Sequence, residues 1–235
     1  MSRQRPANQL RPTKIKRFAT AAPGGVIIEQ GKTRILCTAS LSPELPRWLQ
    51  GKDDAAPSKG WITAEYAMLP GSTPDRKRRG SDSRGTEIQR LIARVLRAAV
   101  DLKKMPGVMI VCDCDVLFAD GGTRTASITG AFVALAQAIA HAQKQGLIKQ
   151  NPIKGPIAAI SAGIVDGRPH IDLDYDLDAR ADVDLNVAMN HRGQFVEVQG
   201  TAELNPFSKS ELDQLLTMAA KAIRSLIRIQ RKVLP

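Results

Sequence analysis

Residues 108–118, VMIVCDCDVLF, read as a strand, and Asp120-Gly121-Gly122 then turns the chain into a helix predicted to run to about residue 144. This strand–glycine–helix junction constrains the chain more than any other segment. Two adjacent glycines free the backbone for turns and close approaches that a Cβ forbids. The helix after them carries a core stripe at Ile128, Phe132, Leu135 and Ile139. The first amides of a helix have no internal partners and sit at the positive end of its dipole, so GGTRTAS (121–127) is equipped to meet an anion. Thr123, Thr125 and Ser127 add hydroxyls, and the Arg124 guanidinium can grip two phosphate oxygens at once. No G-x-x-x-x-G-K-[ST] loop occurs in the chain. The same residues also serve as an ordinary Gly-turned, Thr/Ser-capped junction, and spacing alone leaves both readings open.

A second helix is predicted over 86–102, where Ile88, Leu91, Ile92, Val95, Ala99 and Leu102 form one apolar stripe and Arg90, Arg94 and Arg97 lie opposite. GGVIIEQGKTRILCTAS reads as two strands joined at Gln30-Gly31-Lys32. Two more hairpins follow, AAISAGIVDGRPHIDLDY turning at Asp166-Gly167 and DVDLNVAMNHRGQFVEVQGTAE turning near His191-Arg192-Gly193. The last helix opens on the capping box Ser208-Lys209-Ser210-Glu211 and buries Leu212, Leu215, Leu216, Ala219, Ile223, Leu226 and Ile227. Hairpin-then-helix thus occurs in both halves, which gives an α+β chain with mixed sheets. Its 235 residues suffice for one domain or two closely fused halves.

Charge narrows the partner. A net charge of +11 and a pI near 9.9 suit a polyanion, nucleic acid first, although many basic proteins bind nothing specific. The surplus concentrates in residues 1–17, with Arg3, Arg5, Arg11, Lys14, Lys16 and Arg17 and no acidic residue. It concentrates again in the loop 70–84, where Arg76, Lys77, Arg78 and Arg79 are consecutive. Segment 1–17 is either a basic arm or a basic first strand, and 50–60 reads as loop. Aromatics at 4% argue against rows of stacked bases. Cys37, Cys112 and Cys114 have no zinc spacing and suit buried, reduced thiols. With no leader-like apolar segment and no membrane-length apolar run, a cytoplasmic protein without membrane contact is expected. His141, His170 and His191 have no Ser or Cys partner motif, so a hydrolase triad finds no support.

In 182–189 the alternation is strict: Asp182, Asp184, Asn186 and Ala188 face one way, Val183, Leu185, Val187 and Met189 the other. Strand geometry puts the two carboxylates on one face, roughly 7 Å apart, and Asp178 can return toward them across a turn. Clustered carboxylates raise one another's pKa unless a cation neutralises them, and such oxygen-rich sets suit Mg²⁺ or Mn²⁺. A calcium loop starting at Asp172, Asp174 and Asp176 fails, because Leu177 stands where Gly is needed and Val183 where Glu is needed. A solvated acidic edge strand remains the alternative.

Taken together, the segments NQLRPTKIKR (8–17), ILCTAS, GWITAEYAMLP, EIQRLIARVLRAAVDL, CDCDVLFADGGTRTASITGA, DLNVAM and FVEVQGTAE resemble the ribonuclease PH family over nearly the whole chain. The resemblance implies one catalytic domain over 1–235, of the ribosomal-protein-S5-domain-2 type with two β-α-β-α-like halves. It implies a homo-oligomeric ring, a hexamer built as a trimer of dimers. The implied activity is that of a nucleotidyltransferase and exoribonuclease. It trims the 3′ ends of tRNA precursors and other structured RNA by phosphorolysis, with inorganic phosphate as co-substrate. Nucleoside diphosphates are released, and the reaction is reversible. Residue by residue, it assigns phosphate binding to Arg84, Gly122, Thr123 and Arg124, with a hydroxyl from Ser127. The family's catalytic aspartates fall on Asp178 and Asp184, and with Asp182 close by they would hold Mg²⁺ or Mn²⁺. RNA backbone would rest on segment 1–17 and on Arg76, Lys77, Arg78 and Arg79. Two positions depart from the family pattern: Gly85 follows Arg84, and Gly71 stands after Met68-Leu69-Pro70 where an arginine is usual. An inactive, ring-forming RNA-binding subunit is the second reading, and the presence of Arg84, Arg124, Asp178 and Asp184 argues against it.

Overall fold

In the computed structural model, residues 5–50, 56–80 and 83–235 are described. Arg3, residues 51–55 of the first predicted loop and residues 81–82 of the second lie outside them. Alternate residues of β2 (Gly24–Gln30), β3 (Thr33–Ser42) and β5 (Met109–Phe118) are buried, namely Val26 and Ile28, then Ile35, Cys37 and Ala39, then Ile110, Cys112, Cys114 and Val116. They line one face of a five-stranded sheet ordered β1-β2-β3-β5-β4, with β1 at Thr13–Arg17 and β4 at Trp61–Met68. Segment 1–17 is therefore part strand. The β4–β5 pair is parallel and the other pairs are antiparallel. A parallel pair needs a crossover, and α1 (Ser83–Ala98) supplies it.

The helix α1 stops earlier than its apolar stripe predicts. Ala99 is buried, but Val100 forms a bridge with Ile153 and the Asp101 amide donates to the Pro152 carbonyl. Those long-range bonds draw the chain out of the helix, and Leu102 begins a separate short turn, Leu102–Lys104. Local periodicity cannot register a competing partner from another segment.

The second sheet is antiparallel throughout, ordered β7-β6-β8-β9, with β6 at Ile157–Val165, β7 at Arg168–Ile171, β8 at Ala181–Asn190 and β9 at Phe195–Ala202. Its first hairpin turns through Asp166 and Gly167, both at positive φ, as the dipeptide predicts. Between the sheets lies α2 (Thr123–Lys144), which packs β2, β3 and β5 on one side and β6 and β8 on the other. That position explains a helix apolar enough, by composition, to cross a membrane: it is buried by protein on both sides. The final helix α4 (Lys209–Gln230), started by the Ser208–Glu211 capping box, covers the outer face of the second sheet.

The parity of β8 follows from this layering. Val183, Leu185, Val187 and Met189 pack beneath α4, whereas Ala188 joins the core around α2. Asp182, Asp184 and Asn186 share the side of Ala188, so they face the layer that carries the glycine turn.

Candidate active site

Gly121 and Gly122 both adopt left-handed conformations, at φ of 71° and 67°. A Cβ on Gly121 would also sit 2.4 Å from the Leu173 carbonyl oxygen. Glycine is needed here twice over, for its dihedral and for its contact with the segment that leads to the acidic residues. The turn is fixed by an ion pair buried beneath it. The Arg11 amide, Nε and Nη2 donate to the Asp172 carboxylate at 2.6, 3.0 and 2.7 Å, Nη1 donates to the Asp120 carbonyl, and Nη2 reaches the Gly121 carbonyl at 3.4 Å. Gln30 Nε2 adds a 2.7 Å bond to Asp172, and Thr33 Oγ1 donates to the Gly121 carbonyl at 2.7 Å. Such a pair satisfies the lone pairs that burial would otherwise strand. This withdraws two cations of segment 1–17 from any RNA-holding role. Arg11 is buried, and Arg5 donates to the Ile171 and Asp172 carbonyls, so both are structural. Lys14, Lys16 and Arg17 do remain exposed.

Thr123 opens α2, and its hydroxyl accepts from Tyr66 Oη at 2.8 Å, which ties the helix start to β4. Arg124 stands partly exposed beside it, 3.7 Å from the Glu87 carboxylate of α1. Arg84 is exposed on the first turn of α1. Gly85 lies inside that turn, so the departure from the family pattern does not delay the helix. Ser127 does not line the site. One turn deeper, it is fully buried, and its carbonyl accepts from the Cys37 and Cys114 thiols. Thr125 is likewise buried and donates to the Gly122 carbonyl at 3.0 Å. Helical rotation turns these two hydroxyls into the core and leaves Thr123 at the surface.

Asp178 ends the single turn α3 (Tyr175–Asp178), whose start is capped by the Asp174 side chain accepting from the Leu177 amide at 3.1 Å. Burial first, then the charge of Asp178, pushes the Asp184 carboxyl up to about 6, against the opposing pull of Arg124 and Asn186. Burial raises Asp178 also, and there Arg84 and Arg124 oppose it. Two carboxylates and two guanidiniums from four separate elements thus converge within electrostatic reach. Glu203, just beyond β9, raises both aspartates as well.

Asp182 stands apart from this group. Its carboxylate accepts from Asn205 Nδ2 at 2.9 Å, and among the described residues no set of three His, Cys, Asp or Glu side chains is placed to hold a metal. A cation that takes one or two carboxylates and completes its shell with water and phosphate oxygens fits Asp178 and Asp184; an all-protein cage does not.

A groove of about 590 Å³ adjoins the helix start, lined by Tyr66, Lys77, Arg78, Arg79, Arg84 and Asp115 among others. Three residues of the basic run therefore share a groove with Arg84, while Arg76 is exposed outside its lining. Gly71 is exposed, and a Cβ placed there would have nothing within 4 Å, so the backbone would admit a side chain at this position. Sequence reasoning passed over Tyr66 and Glu203, and it did not connect Arg11 with Asp172. Tyr66 and Glu203 lie within the quoted segments GWITAEYAMLP and FVEVQGTAE, but nothing in their local spacing marks them.

Comparison with known proteins places the chain as a whole. Residues 9–140 match the description "3′ exoribonuclease family, domain 1", and residues 155–222 match domain 2 of the same family. Over 236 aligned residues the chain is 49% identical to the ribonuclease PH of Corynebacterium efficiens and 50% identical to that of Corynebacterium glutamicum, covering 98% of this chain and 94% of each relative. Among solved structures, a chain of "archaeoglobus fulgidus exosome with RNA bound to the active site" has the same fold, with a TM-score of 0.81 at 21% identity, over 95% of this chain and 90% of that one. A chain of "Archaeal exosome core" matches with a TM-score of 0.78 at 20% identity, over 97% and 89%. With both family domains present in order, and about half of all positions identical to two ribonucleases PH, the chain belongs to the 3′ exoribonuclease family and has the α+β fold of ribonuclease PH.

Proposed function

We propose that this chain shortens RNA from the 3′ end by phosphorolysis, with tRNA precursors as its main substrates. The observation that carries the reading is the convergence of Arg84 and Arg124 on the Asp178–Asp184 pair, at the open N-terminus of α2. Inorganic phosphate would rest on the two guanidiniums and on the amides of 122–124. One of its oxygens attacks the phosphorus of the last nucleotide. The bond from that phosphorus to the 3′ oxygen of the preceding nucleotide breaks, that oxygen takes up a proton, and a nucleoside diphosphate leaves. No side chain forms a covalent intermediate, so the residues position and neutralise. Asp178 and Asp184 would hold a Mg²⁺ or Mn²⁺ ion, which supplies compensation for charge on the transferring phosphoryl group. The alternative role, with no ion on Asp184, is that of general acid: its carboxyl, raised to about 6, would then donate the proton that the 3′ oxygen needs.

The test is to incubate the protein with 3′-extended tRNA, with and without phosphate, and to identify the mononucleotide released. Diphosphates formed only with phosphate are expected. Monophosphates formed equally fast without phosphate would mark a hydrolase. A hexameric ring and a cytoplasmic location belong to the same reading, and buried reduced thiols suit a reducing compartment.

The groove gives a second expectation. Its Lys and Arg side chains meet phosphates rather than base edges, so affinity for RNA should fall steeply with salt. Replacing Arg76, Lys77, Arg78 and Arg79 together by Ala should flatten the slope of log affinity against log salt. An unchanged slope would move the RNA path elsewhere.

A further inference from the structure

The two tryptophans of the chain, Trp48 and Trp61, sit together. Their rings meet edge to face, 4.6 Å between centroids and 89° between planes. Lys59 Nζ lies 5.9 Å from the Trp48 centroid and 5.8 Å from that of Trp61, and the Arg97 guanidinium covers Trp61 at 4.5 Å. Arg97 is itself fixed by a 2.9 Å bond to the Ile62 carbonyl. On this base Trp48 is 63% exposed. An indole left in water forfeits the burial its area could gain, and this one is held by the Trp61 ring and Lys59, while Arg97 in turn holds Trp61.

We propose that Trp48, braced by Trp61 and flanked by Lys59 and Arg97, is a stacking platform for an unpaired base of the RNA, upstream of its 3′ end. The proposal rests on the phosphorolytic reading for its choice of ligand. Placement supports it. Trp61 begins β4, and Tyr66, five residues on and about 16 Å along the strand, bonds the start of α2. Arg97 lies in the last turn of α1, whose first turn carries Arg84. An RNA strand leaving the site along β4 and α1 reaches the platform with its backbone beside cations. Every base offers a π-face, so such a contact grips RNA without reading its sequence. The core of an interface between copies of this chain would be depleted in lysine, whereas Lys59 stands over both rings.

Because both tryptophans lie at the platform, tryptophan fluorescence excited at a wavelength that tyrosine does not absorb reports on it alone. Titrating the intact protein with a single-stranded oligoadenylate of twelve nucleotides, in buffer free of phosphate, should give saturable quenching. Trp48→Ala and Trp48→Leu should each weaken binding of the labelled oligonucleotide about 5- to 100-fold, because both lose the ring, and Trp48→Phe should recover most of it. In turnover the RNA KM should rise by the same factor, and the phosphate KM should not follow. Phosphorolysis that proceeds with RNA affinity and KM indifferent to all three substitutions overturns the platform and leaves the reaction standing. Unchanged affinity together with a lower oligomer mass by light scattering also overturns it, placing Trp48 between subunits. Quenching in a protein that releases no diphosphate supports the platform and sinks the reaction.

Discussion

Replacing Asp184 by Asn is expected to lower kcat by about 10²- to 10⁴-fold with the phosphate KM little changed, as loss of a group acting in the transition state does. The same substitution should stabilise the fold at neutral pH. Asp184 titrates at about 6 against an ordinary value of 3.8, so the folded protein binds this proton more tightly than the unfolded chain. Its contribution is fully present below about pH 4 and is lost as the pH rises through about 6. Above that, the ionised carboxylate costs roughly 1–3 kcal/mol, a figure discounted for partial exposure. Asn keeps the size and carries no charge. Urea melts in the absence of divalent cations should show Asp184→Asn more stable than the parent at pH 7.5, with the gap closing toward pH 4. Full activity, or equal stability at every pH, would remove Asp184 from the centre of the site.

Arg124→Ala should act on the other partner in the reaction. A charge-assisted, largely desolvated contact to the attacking phosphate is lost, which corresponds to about 2–4 kcal/mol, or roughly 30- to 1,000-fold in kcat/KM for phosphate. Affinity for RNA should stay near normal, because the groove residues hold the backbone. Arg124 also opposes the rise of both aspartates, so its removal should carry the acid limb of the kcat profile to higher pH. Arg124→Lys keeps the charge and loses the two-pronged fork, and should fall between. Excess phosphate should partly rescue Arg124→Ala and fail to rescue Asp184→Asn. Rescue of neither variant, or of both equally, would break the division of the site into a phosphate half and a transition-state half.

Much of this site is legible before any coordinates. Asp120-Gly121-Gly122 announces a turn into a helix, and the amide-rich start of α2 follows from how helices begin. The alternation in 182–189 fixes which residues share a face, because neighbouring side chains in a strand point to opposite sides. The stripes of α1 and α4 predict their buried faces in the same way. Each of these is a property of the local backbone, so a window of ten to twenty residues contains the information.

Other features depend on partners far along the chain. Arg11 looks like one more cation in a basic segment, and only the fold brings it to Asp172, 161 residues away, where it holds the glycine turn. Ser127 looks like a hydroxyl beside a phosphate loop, yet rotation of a helix packed between two sheets buries it completely in the core. Asp182 and Asp184 share a face, but Asn205 engages the first, while the second joins Asp178, Arg124 and Glu203. Local sequence set most of the elements, though not β4, α3 or the end of α1, and it set the glycine turn and the parity that aims Asp184 to one side of β8. The tertiary structure alone decided what stands on that side, because burial and charge belong to whatever segments meet in space.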